Sequence, residues 1–146
     1  MKVKLGLGEG FERIIADMNR LGDVGITIAK KRFAEFAPQI VARQKALAPV
    51  DAVDGGQLRD SIRFTRPRAG AKSFANVTFI MGGDALLPFL EGHRVNVYAI
   101  VQETDPTLHH AGGQAGFMSQ PVTQMAPAVF DAIAKDIDAE VARASG

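Results

Sequence analysis

A chain of 146 residues with 47% hydrophobic and 23% charged side chains is long enough to bury one core and too apolar to stay disordered. It holds no cysteine, which excludes disulfides, thiol nucleophiles and cysteine-ligated zinc. No window approaches the ~18 consecutive apolar residues of a membrane span. The opening MKVKL, followed by glycines and charges, lacks the apolar run of a signal peptide, so a soluble, cytoplasmically made protein is expected. The net charge of +1 conceals a division: residues 1–72 carry 14 Lys/Arg against 8 Asp/Glu, and residues 73–146 carry 3 against 8. Such a chain can associate head to tail or dock charged partners, unless folding brings the halves together and cancels the separation.

Val3, Leu5 and Leu7 alternate with polar or small residues, which predicts a short opening strand. Phe11, Ile14, Ile15, Met18 and Leu21 then fall at helical spacing, with Gly22 as the stop and Asp23 as the N-cap of the next element. A longer helix is expected over 23–47, its apolar stripe formed by Ile26, Ala29, Phe33, Phe36, Ala37, Ile40 and Val41. Pro38 should kink or split it, and Pro49 should end it. Gln57–Ile62 reads as a single helical turn leading into a strand near 62–67. Phe74–Met81 reads as a strand with Val77, Phe79 and Met81 on the core face. Leu86–Leu90 is left open because of Pro88, and a further strand is expected over Arg94–Gln102. Residues 104–120, rich in glycine, read as a long structureless loop. A final amphipathic helix is expected from Pro127 to about Ala144, carrying Val129, Phe130, Ile133, Ile137 and Val141. Clustered strands flanked by helices predict an α+β domain: two N-terminal helices, a small mainly antiparallel sheet of three to five strands and a C-terminal helix packed on it, in one domain over 1–146.

Motifs that carry chemistry are weak. Gly6, Gly8 and Gly10 have the wrong spacing for a dinucleotide-binding turn and read as a structural turn. His109 and His110 are adjacent, so on an extended loop they point apart; with His93, and with Glu103 or Asp105 nearby, they offer no fixed metal geometry. Ser61, Ser73 and Ser119 lie in no nucleophile elbow, and Asp136 and Asp138 at i,i+2 on a helix do not face each other. No catalytic, cofactor or metal residue is expected. The basic cluster Arg59, Arg63, Arg66, Arg68 and Lys72 can meet nucleic-acid phosphate or an acidic protein surface. On a strand, Arg66 and Arg68 would share one face, with Arg63 opposite or beyond a bend. Little aromatic interleaving beyond Phe64 argues against stacking on single strands.

After the second helix the chain carries Ala48-Pro49-Val50-Asp51, then Gly56-Gln57-Leu58-Arg59-Asp60-Ser61-Ile62. Tyr98-Ala99-Ile100-Val101-Gln102-Glu103 follows, and Phe117-Met118 precedes Pro127-Ala128. In this order the motifs resemble the tail-component, neck and tail-completion proteins of long-tailed phages, the family typified by gene product ten of phage HK ninety-seven. The chain departs from the family pattern at the inserted Asp54-Gly55-Gly56 and at Glu103-Thr104-Asp105, where Glu-x-Gly-Thr is usual.

The resemblance implies a non-enzymatic virion assembly protein at the head–tail junction, forming a ring, a hexamer by expectation. It would join the head connector or head-completion protein to the tail-tube protein, or terminate the tube. Non-specific contact with DNA passing through, no cofactor, no membrane, and assembly in the bacterial host cytoplasm are implied with it. The family-motif residues Pro49, Gly56, Leu58, Arg59, Ser61, Ile62, Tyr98, Ala99, Glu103 and Phe117 would then be structural or subunit contacts, and Arg63, Arg66, Arg68 and Lys72 a partner-contact patch. Leu58 and Ile62 should pin the turn to the core while Arg59 bonds carbonyls at the C-terminus of the second helix. Loop 104–120 is expected to order only against a neighbouring subunit. The alternatives are a small metal-dependent enzyme using His93, His109 and His110, and a nucleic-acid-binding module using Arg59, Arg63, Arg66 and Arg68.

Overall fold

In the computed structural model, residues 1–6, 12–50, 56–69, 75–82, 86–87, 93–94, 100, 102–107 and 112–146 are described. The elements follow in the order β1 (Lys2–Gly6), α1 (Glu12–Leu21), α2 (Asp23–Leu47), α3 (Gln57–Asp60), β2 (Arg63–Phe64), β3 (Arg68–Ala69), β4 (Ala75–Ile80), β5 (Leu86–Leu87), β6 (His93–Arg94) and α4 (Ser119–Ser145). This is the expected α+β architecture, with N-terminal helices, a small antiparallel sheet and a C-terminal helix.

Strand β4 is the centre of a four-stranded sheet. On one side it pairs antiparallel with β1, Val3 lying opposite Phe79 and Leu5 opposite Val77. On the other it pairs with β2, Phe64 opposite Phe79, and then with β3, Arg68 opposite Asn76. Side chains alternate across a strand, so Val77, Phe79 and Met81, each at most 1% exposed, turn to the core as their spacing predicts. Asn76, Thr78 and Ile80 turn the other way. A two-stranded sheet of β5 and β6 stands apart from this one.

The core lies between the inner face of the sheet and the helices. Ala29, Phe33, Ala37 and Ile40 of α2 meet Val129, Ile133 and Ile137 of α4, all at most 1% exposed. Each large apolar side chain so buried contributes ~1.5–3 kcal/mol. Helix α1 packs closely on α2: a Cβ on Gly25 would come within 2.8 Å of the Met18 Cα and 2.9 Å of its carbonyl oxygen. The turn between them is Gly22, at φ +60°, and Asp23 is the first helical residue, not the cap.

Several expectations need correction. Of the kink or split expected at Pro38 the split does not occur, α2 running through it over the expected 23–47, and α4 does not begin at Pro127 but eight residues earlier, with that proline inside it. Both prolines are exposed, as are Ala34 and Thr123, whose carbonyls lose their helical partner and can bond water instead. The strand expected over 62–67 is confined to Arg63–Phe64, with a second short piece, Arg68–Ala69, just beyond it. From Phe64 to Arg68 the chain advances four residues while β4 advances three, from Phe79 to Asn76, which is a β-bulge. Within it the Thr65 amide donates to the Thr78 carbonyl at 2.8 Å, and the Thr65 hydroxyl accepts the Thr78 amide at 3.2 Å. Of the strand expected over Arg94–Gln102, Arg94 is extended, whereas Ile100 and Gln102 are helical, with Gln102–Thr104 tied back by the Thr104 hydroxyl donating to the Ile100 carbonyl at 2.8 Å; residues 95–99 and 101 lie outside the described residues.

Candidate functional site

The motif 56–62 folds as a clasp. Gly56 adopts φ +87°, a left-handed conformation that favours glycine, and starts α3. Leu58 and Ile62, one turn apart, are buried at 0% and 2% exposure and hold the turn to the core. The Arg59 Nη2 donates to the carbonyl of Ala48, the C-cap of α2, at 2.8 Å, where the helix dipole favours a cation. The Ser61 hydroxyl donates to the Leu58 carbonyl at 2.6 Å and accepts the Gly82 amide at 2.8 Å, tying α3 to the end of β4. Pro49 is buried just after α2.

Residues 112–119, expected to be part of a structureless loop, form the other jaw of this clasp. Phe117 and Met118 are fully buried. Gly113 lies against the exit of α2 so closely that a Cβ there would sit 2.5 Å from both the Leu47 oxygen and the Pro49 nitrogen. The next amide, of Gln114, donates to the Leu47 carbonyl at 3.0 Å. Glu103, buried at 5% exposure, accepts the amides of Met118 and Ser119 at 2.9 and 3.1 Å and the Ser119 hydroxyl at 2.7 Å. Its carboxylate therefore caps the positive end of α4 from fifteen residues upstream of Met118, where the helix lacks a cap of its own. Gln44, fully buried on α2, donates to the Met118 carbonyl at 2.9 Å. Its Oε1, like the Arg59 Nε, is buried without a hydrogen-bond partner. The 112–119 segment thus packs within the single chain, against the exit of α2 and the start of α4, while residues 108–111 of the expected loop lie outside the described residues.

The arginine patch is divided. The bulge shifts the alternation by one residue, so Arg68 shares a face with Arg63, and the expected pairing of Arg66 with Arg68 does not form. Opposite partners across an antiparallel pair point to the same face. Arg63 stands opposite Ile80, Arg68 opposite Asn76, and on the far edge Lys2 opposite Ile80 and Lys4 opposite Thr78. Lys2, Lys4, Arg63 and Arg68 are all exposed on the outer face of the sheet. Arg63 also donates to the carbonyls of Ser61 and Gly82, at 2.9 and 3.2 Å. Arg66 turns instead toward α2, lining an open hollow of about 290 Å³ with Thr27, Lys30, Lys31, Ala34 and Pro67. Lys2 and Lys4 were not read as part of a patch from the sequence; only the pairing of β1 with β4 brings them there.

Part of the acidic half of the chain is engaged internally. Asp136 of α4 accepts from Arg32 of α2 in a two-pronged pair, 2.6 Å to Nε and 2.9 Å to Nη2, and Asp138 meets Arg13 of α1 at 3.2 Å. The hydrogen bond from Arg32 holds the Asp136 carboxyl below the usual carboxylate range and raises the guanidinium in turn. Glu140 pairs with Arg143 on the same helix. Folding therefore joins part of the basic half to part of the acidic half.

His109, His110, Tyr98, Ala99 and Lys72 lie outside the described residues, as does the side chain of His93. Among the described residues no group of three His, Asp or Glu side chains could hold a metal ion, and no helix is long and apolar enough to cross a membrane. In comparisons with protein-family models, curated proteins and solved structures, nothing matches this chain.

Proposed function

We propose that the chain is a non-enzymatic assembly protein of a phage or phage-derived particle, acting in the virion at the head–tail junction. In this reading it forms a ring that joins the head connector to the tail tube, or terminates the tube. The reading rests on the resemblance of its ordered motifs. The observation that carries it furthest is how the best of those motifs is used: Arg59 and Ser61 bond the main chain at Ala48, Leu58 and Gly82. These are the bonds of a framework and not of a nucleophile or proton carrier, while the chain's exposed cations stand on surfaces a partner can reach. A ring built from heterologous contacts needs such exposed, non-self-complementary surfaces.

Light scattering tests this, on the chain alone and mixed with the head-connector and tail-tube proteins of the same particle. A closed oligomer, by expectation a hexamer, forms alone or on mixing. A monomer in every mixture, with neither protein bound, overturns the proposal.

A further inference from the structure

We propose that the outer face of the four-stranded sheet is a docking surface for the phosphate backbone of double-stranded DNA, contacted through Lys2, Lys4, Arg63 and Arg68. The sheet's inner face belongs to the core; its outer face presents these cations around Thr78 and Ile80 of β4, with Thr65 beside Thr78 and Asn76, 7% exposed, withdrawn from contact. No carboxylate among the described residues of the paired strands stands on it. Lysine, arginine and threonine are among the side chains that bond phosphate oxygens.

The spacing suits an extended polyanion. Lys2 and Lys4 lie two residues apart on β1, about 7 Å along the strand. Arg63 and Arg68 stand opposite β4 positions four residues apart, about 14 Å along the sheet, and the two outer rows are about 10 Å apart. Duplex DNA carries one charge per about 1.7 Å of axis, so a span of about 14 Å covers about eight phosphates, enough to engage each cation once.

An acidic protein surface fits less well. Among the described residues the face offers Ile80 as its apolar side chain, without the aromatic or aliphatic cluster that anchors protein interfaces. A second copy's α4 is a poor counterpart too, because three of its four carboxylates, Asp136, Asp138 and Glu140, are already held by Arg32, Arg13 and Arg143. The absence of an aromatic side chain on the described face favours duplex over single strands, which are gripped by stacking. This inference does not depend on ring formation: duplex binding by a monomer would leave it standing while the assembly reading fell, and the converse separates them equally.

The test is titration of the full chain with a short mixed-sequence DNA duplex, followed by fluorescence anisotropy between about 50 and 200 mM salt. Contact with about four phosphates gives a slope of log K against log salt near −3.6. Lys2→Gln, Lys4→Gln and Arg68→Gln each reduce that slope by about 0.9, and the triple variant retains about one unit of it. Thermal unfolding of the variants keeps loss of folding apart from loss of contact. No duplex binding at the low-salt end, or a slope unchanged in the triple variant, overturns the proposal. So does polyglutamate of matched charge competing as well as duplex, which would assign the face to an acidic protein.

Discussion

At the exit of α2 the polar groups turn inward: Arg59, Gln44, Ser61 and Glu103 each bond main-chain atoms, and the last closes the start of α4. On the outer face of the sheet, by contrast, Lys2, Lys4 and Arg68 are exposed and make no ion pair with a described residue. Only Arg63 stands between the two kinds, exposed yet bonded to two carbonyls. The clasp is where polar side chains hold the chain together, and the sheet face is where the chain leaves charge available to something else. A polar residue in a motif is therefore no guide by itself to where function lies; what its donors touch decides.

That contrast predicts a large stability cost in the clasp. Gly113→Ala places a Cβ against main-chain atoms of Leu47, Ala48 and Pro49, none of which can rotate away as a side-chain end could. Destabilisation of about 3 kcal/mol or more is expected in chemical denaturation. An unchanged midpoint would show that the close approach to α2 is dispensable. Glu103→Ala follows at about 2–3 kcal/mol, since it leaves the Met118 and Ser119 amides at the start of α4 without their acceptor. Glu103→Gln keeps one amide oxygen and recovers part of that loss. Equal losses in both variants would mean the cap acts through packing and not through hydrogen bonds.

How much of this was legible beforehand depended on range. Helices α1 and α2 and the core face of β4 came from local periodicity, and the 56–62 turn from its leucine and isoleucine at helical spacing, because those signals need no knowledge of distant chain. Pro127 misled as a helix start, and Pro38 leaves α2 unsplit, for one reason: the cost of a proline inside a helix depends on whether the freed carbonyl faces water, which the sequence does not state. The bulge at 65–67 was hidden because register exists only relative to β4, and a single extra residue moved Arg68 to the face of Arg63. Gly113 was read within a loop and Glu103 just past a strand; their partners at Leu47 and Met118 are set by tertiary packing. Lys2 and Lys4 open the chain, and nothing near them in sequence is basic in the same pattern as Arg63 and Arg68.

Between the two regions in expected effect lies the Arg32–Asp136 pair joining α2 to α4. Because the folded carboxyl titrates below its unfolded value, its contribution is present above the ordinary aspartate pKa near 3.9 and is lost as pH falls through the lower folded value. The chain should thus lose stability on acidification below about pH 4, and Asp136→Asn should lose less over the same interval. Denaturation midpoints compared at neutral pH and about pH 3 measure the difference; parallel acid profiles in the two proteins would remove the pair from the account.

The smallest stability change and the sharpest contrast are expected together, at Lys2 and Lys4. Both side chains are exposed on an edge strand whose pairing with β4 is made by backbone atoms, so Lys2→Gln with Lys4→Gln should shift stability by no more than about 0.5 kcal/mol. Removing like charges from one face can even be slightly stabilising. The same pair of substitutions should weaken duplex binding and take about 1.8 from the salt slope. Gly113→Ala should do the reverse: under conditions where it remains folded, it alters no group on the sheet face, and its slope should match that of the parent chain. If the lysine variant unfolds early while its slope holds, the division between a clasp that holds the chain and a face that meets a partner is wrong, and the cations belong to the fold.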